Sequence, residues 1–166
     1  MTSLFNRVCI AVLFASFLIA GCSVIATENA LNGLKIQSWH GRLAVRVETE
    51  PVQGFNAAFE LSGSAQTGEL VFYTPIGSTA ARLVWSPQSA ALHAEGRVQY
   101  FESLDALIER QLGTRLPALA LFAWLAGNHV SVVDWNADLS DYGNGRITAR
   151  RTQPAPSAEV RLLLEN

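Results

Sequence analysis

One cysteine in this chain has its covalent chemistry spelled out by its neighbours. Cys22 follows Ile19-Ala20-Gly21. Small residues before a cysteine, closing an apolar run, mark a cleavage site. The Cys22 thiolate can be alkylated with diacylglycerol, and the amine freed by the cut can take a further acyl chain. One myristoyl-length chain holds a protein only marginally on a membrane; several hold it stably. Arg7 supplies the positive charge ahead of the run, and Val8 to Ala20 is apolar apart from Ser16. A membrane-spanning helix needs about 20 apolar residues, more than this run offers. The expectation is a cleaved signal over residues 1–21, a lipidated tether over 22–37 and one domain over 38–166. Ser23 follows the cysteine, where an Asp would signal retention in a Gram-negative inner membrane. Ser23 fits release to the outer membrane, so the expected location is lipid-anchored on its periplasmic face.

No other residue set has the spacing of a reactive site. His40, His93 and His129 have no second histidine or acid at metal-ligand spacing. Gly63-Ser64 and Gly77-Ser78 lack the second glycine of a nucleophile elbow. Glu102 and Asp105 sit where acids favour a helix N-terminus. Cys9 leaves with the signal and Cys22 is consumed by lipid, so no thiol remains for a disulfide or a metal. The chain carries 12 basic and 14 acidic residues, net −2, with no basic excess for nucleic acid. The expectation is therefore no catalytic residue, no metal, and no cofactor beyond the diacylglycerol and N-acyl groups on Cys22. The chain offers no coiled-coil pattern, and a monomer is expected.

The elements that would carry a site are mostly strands. Trp39, Gly41, Leu43, Val45 and Val47 alternate with polar or small residues, and Phe55, Ala57, Phe59 and Leu61 do the same. Such period-two patterns predict half-buried strands. Further strands are predicted over 69–74, 79–85, 92–95, 97–100, 130–135, 146–150 and 159–164, with Val160, Leu162 and Leu164 on one face of the last. Closely spaced strands with short turns suggest an antiparallel meander. Ser103 can cap a helix with the apolar face Leu104, Leu107, Ile108 and Leu112, ended by Gly113. A second helix from Pro117 to Gly127 has no polar face. A helix apolar all round is expected to be buried on every side, inside the sheet or across its mouth.

Thr74-Pro75-Ile76-Gly77 has the residues of a tight turn. Turn tips prefer polar side chains, yet Ile76 is a large aliphatic. Either the loop folds back and Ile76 packs on the rim, or Ile76 touches something apolar outside the protein. Burying such a side chain stabilises by about 1.5–3 kcal/mol, enough to perturb lipid locally beneath an anchored domain.

Gly41-Arg42-Leu43-Ala44-Val45, Gly68-Glu69-Leu70, Tyr73-Thr74-Pro75-Ile76-Gly77-Ser78, Leu83-Val84-Trp85 and Leu116-Pro117…Leu121…Trp124-Leu125-Ala126-Gly127 occur in an order that resembles the LolB family of outer-membrane lipoprotein receptors. With the lipidation motif, the resemblance runs from Cys22 to about Asn128; residues 134–166 depart most. It implies a mainly β, α+β fold: a half-closed antiparallel β-barrel with short helices plugging its mouth around an apolar cavity. It implies partners: a soluble periplasmic lipoprotein carrier, the acyl chains of lipoproteins, and outer-membrane lipid. Ile76, between Pro75 and Gly77, takes the place of the family's apolar loop tip, which is often Leu. In such a barrel Leu43, Val45, Phe59, Leu70, Phe72, Leu83 and Trp85 are candidates for the inner wall, joined by Phe122 and Trp124 of the apolar helix. Rival readings are the related soluble carrier, which a lipid anchor disfavours; a scaffold lipoprotein with a solid core; and an envelope hydrolase or acyltransferase, which needs a nucleophile and base in a cleft.

Overall fold

Alternating side chains put one apolar face on most of the strands, and the computed structural model joins these strands into a single sheet. It describes residues 37–113 and 115–165. The signal, Cys22 and the tether before residue 37 lie outside the described residues. Nine strands follow in chain order: β1 (Gln37–Val47), β2 (Gln53–Gly63), β3 (Gly68–Tyr73), β4 (Thr79–Ser86), β5 (Ser89–Ala94), β6 (Arg97–Phe101), β7 (Asn136–Asp138), β8 (Arg146–Arg151) and β9 (Ala158–Leu164). Helices α1 (Leu104–Leu112) and α2 (Ala118–Leu125) lie between β6 and β7. The sheet order is β6-β5-β4-β3-β2-β1-β9-β8-β7, antiparallel throughout. Strands β6 and β7 are its two ends, so the sheet is a half-open barrel rather than a closed one.

Register sets which residues share the inner face, because directly opposed residues point the same way. Phe59 of β2 faces Phe72 of β3, which faces Ala81 of β4, which faces Ala94 of β5. The next row runs Trp39, Leu61, Leu70, Leu83, Leu92. The opposite face carries charge: Arg82 makes a two-pronged ion pair with Glu69 at 2.6 and 3.0 Å. That guanidinium holds the Glu69 carboxyl below its usual range.

Helix α1 starts where expected. Ser103 Oγ accepts from the Ala106 N–H at 3.1 Å, and Gly113 ends the helix in the left-handed region. Pro117 offers α2 no side-chain cap, and the cap comes from the neighbouring helix: the Ala118 N–H donates to Asp105 Oδ1 at 2.7 Å.

Two expectations fail. Residues 130–135 form no strand; only an isolated bridge joins Val132 to Trp135, and β7 starts one residue later. The segment instead tracks α2, because two indoles bind backbone there: Trp124 Nε1 donates to the Val130 carbonyl at 3.0 Å, and Trp135 Nε1 to the Arg115 carbonyl at 2.8 Å. Nor is α2 buried all round. Leu119 is 71% exposed, because the sheet and the 130–135 segment flank the helix on two sides and leave a third to solvent.

Candidate functional site

Large side chains fill most of the space between sheet and helices, but not all of it. Ala81 and Ala94 stand beside Phe72 where larger residues would close the gap. A cavity of about 410 Å³ results, lined by β1 to β5, β9 and both helices. That lies within the ~300–1,000 Å³ range of ligand sites. Its wall is aliphatic and aromatic, with Gln53 and Gln111 its only polar side chains.

One end of this cavity is closed by aromatic rings. Phe122 meets Trp39 at 5.6 Å and Trp85 at 6.2 Å between ring centroids, both edge to face. Trp85 is fixed by its Nε1, which donates to the Ser64 carbonyl at 2.9 Å. The other end is open. Along β2, Leu61, Phe59 and Ala57 are buried, whereas Phe55 is 43% exposed. Strands β4 and β5 show the same gradient, from buried Leu83 and Leu92 to half-buried Ala81 and Ala94. Helix α1 repeats it, from buried Leu104 and Leu107 to half-buried Ile108 and Leu112.

The β3–β4 loop stands at the open end. It is a tight turn: the Gly77 N–H donates to the Thr74 carbonyl at 2.9 Å and the Thr74 N–H to the Ser78 carbonyl at 2.8 Å. Gly77 has φ +82°, which a residue with a Cβ rarely adopts. Pro75 and Gly77 so hold Ile76 at the tip, 89% exposed; it does not fold back on the rim. Continued past Ala58–Tyr73, the β2–β3 register puts Phe55 level with Ile76. The rim of the cavity and the loop tip therefore share one edge.

Leu43, Val45, Phe59, Leu70, Phe72, Leu83 and Trp85 all line the cavity, and so does Phe122. Trp124 does not. Ala118, Leu121, Phe122 and Leu125 form the cavity-facing stripe of α2. At about 100° per residue, Trp124 falls on a different face from that stripe. It is 1% exposed and turned toward Val130, where it packs as core. Cys22 lies outside the described residues. Phe55, Leu92, Val160 and Leu162 also line the cavity; strand alternation marks them as inward-facing but not as wall. The α1 stripe Leu104, Leu107, Ile108 and Leu112 is wall as well; helical spacing marks it only as an apolar face. No cluster of histidine, cysteine or acidic side chains suited to a metal occurs among the described residues, and none of their helices is long and apolar enough to cross a membrane.

Residues 37–157 match the family model described as outer membrane lipoprotein LolB. The chain is similar to the outer-membrane lipoprotein LolB of Bordetella petrii, 29% identical over 87% of this chain and 85% of that one. It is also similar to the protein of that name from a Shewanella species (strain MR-4), 29% identical over 92% of this chain and 78% of the relative. A third, from Azoarcus, is 28% identical over 68% and 69%. With the family model covering most of its length, the chain belongs to the LolB family, the outer-membrane lipoprotein receptors of the lipoprotein-localisation pathway.

Proposed function

We propose that this protein, held at the periplasmic face of the outer membrane by acyl groups on Cys22, takes lipoproteins from a soluble periplasmic carrier and passes them into the membrane. The acyl chains of the cargo occupy the cavity between sheet and helices during the transfer. One observation carries this reading: an apolar cavity opens at the edge of the sheet from which the aliphatic tip Ile76 projects.

The physical need is plain. An acyl chain in water costs about 0.8 kcal/mol per exposed CH₂. A protein that shelters the chains removes that barrier without any bond being made or broken. Transfer runs downhill if the carrier holds the chains more weakly than this receptor, and the receptor more weakly than the bilayer. No nucleotide, metal or catalytic side chain enters the scheme. Ile76 meets lipid once the anchor has brought the loop to the surface, and the chains leave by the open rim beside it. The receptor acts as a single chain.

The deciding experiment is depletion of the protein followed by fractionation of the envelope. Lipoproteins stalled in the periplasm on their carrier are the expected result. Normal delivery to the outer membrane in depleted cells overturns the proposal.

A further inference from the structure

Two polar side chains stand where the pattern calls for apolar ones. Gln53 begins β2 and pairs with buried Val47, so it heads the inward-facing row that Phe55 continues. Gln111 lies on the cavity stripe of α1 between Ile108 and Leu112. They come from opposite walls, sheet and helix. Both are exposed, and both line a cavity whose other side chains are apolar.

We propose that Gln53 and Gln111 form a polar collar that binds the carbonyls of the cargo's acyl linkages, the esters on its glycerol and the amide on its cysteine nitrogen. The inference rests on the acyl-cavity reading above and adds to it the chemistry of the linkage. An acyl chain ends in a carbonyl. As the chain enters an apolar cavity, that carbonyl reaches the rim and sheds water, an unfavourable step unless another donor replaces it. A glutamine NH₂ offers two donors on a short, neutral arm. It pairs with a carbonyl without the desolvation penalty of a charged lysine or arginine. The collar then sets how deep each chain sits and selects acyl linkages over plain hydrocarbon.

The test uses the full-length lipidated protein on nanodiscs and two photoreactive probes. Each probe is a cysteine peptide with two long chains bearing a terminal diazirine. In one the chains are ester-linked acyl groups; in the other they are ether-linked and lack the carbonyls. The ester probe is expected to label the wild-type cavity about tenfold more than the ether probe, the combined effect of two hydrogen bonds. The double variant Gln53→Leu, Gln111→Leu is expected to label equally with both probes, the roughly tenfold ester preference being lost. A preference that survives in the double variant, or is absent from the wild type, overturns the collar and leaves the cavity reading standing. A wild type labelled by neither probe overturns the cavity reading and the collar together.

Discussion

The indole of Trp85 lies across Gly68, its register partner on β3: a Cβ added at Gly68 would stand 2.5 Å from Trp85 Cζ2 and would also run into the Ser62 carbonyl. The absent side chain is what lets Trp85 lie flat enough for its Nε1 to reach Ser64 and for its ring to meet Phe122. Gly68→Ala is therefore expected to destabilise the fold by about 1–3 kcal/mol, as overpacking does. It should also shift Trp85 fluorescence. Thermal melts and emission spectra check both.

Ile76 touches little of its own protein. Ile76→Glu is expected to leave stability within about 0.5 kcal/mol of wild type, as for surface changes elsewhere. Uptake of lipoprotein from the carrier should persist while release into vesicles stops. Ile76→Leu should keep release at the wild-type rate. Release by the Glu variant at the wild-type rate would remove the loop from the mechanism.

Phe122 and Trp124 are two residues apart on α2 and are expected to behave differently. Trp124→Phe forfeits the hydrogen bond to Val130 and some buried ring area, a loss of about 1–2 kcal/mol. It should leave affinity for a fluorescent alkyl probe unchanged. Phe122→Ala enlarges the cavity at its closed end and should weaken that affinity several-fold. Denaturant titration and probe binding, run on both variants, separate the two roles.

On the outer face, Glu159 accepts from Arg150 of β8 and lies 2.6 Å from Arg161. Chiefly through the Arg150 hydrogen bond, its carboxyl is held below the usual range. A carboxyl whose folded pKa is depressed stabilises fully above its unfolded pKa, and loses that contribution as pH falls through the folded one. Melts between about pH 7 and about pH 3 should therefore show a shallower acid-side decline for Glu159→Gln than for wild type. Identical acid limbs would show that the pair contributes nothing.

Much of the wall could be read from local pattern. A strand with one buried face writes that face into every second residue, so Leu43, Val45, Phe59, Leu70, Phe72, Leu83 and Trp85 emerged together. The same alternation pointed at Phe55, Leu92, Val160 and Leu162, but nothing local says which inward residues meet a cavity and which meet core. The α1 cap and stop were equally legible, since Ser103 and Gly113 act within one turn. The cap of α2 was not, because Asp105 belongs to another helix.

What the sequence determined alone is what depends on near neighbours: the period-two strands, the caps of α1, the Pro75–Gly77 turn and the apolar character of α2. Tertiary structure decided the rest. It left residues 130–135 without a strand, because two indole N–H groups tie the segment to α2 and its lead-in, Trp124 to the Val130 carbonyl and Trp135 to the Arg115 carbonyl. It turned Trp124 into core and Phe122 into wall, and it exposed Leu119, because a helix without a polar face carries no internal mark of which side its neighbours will cover. It opened one end of the cavity beside Ile76, because open space is a property of surfaces meeting across the sheet and helices, and no single segment holds it.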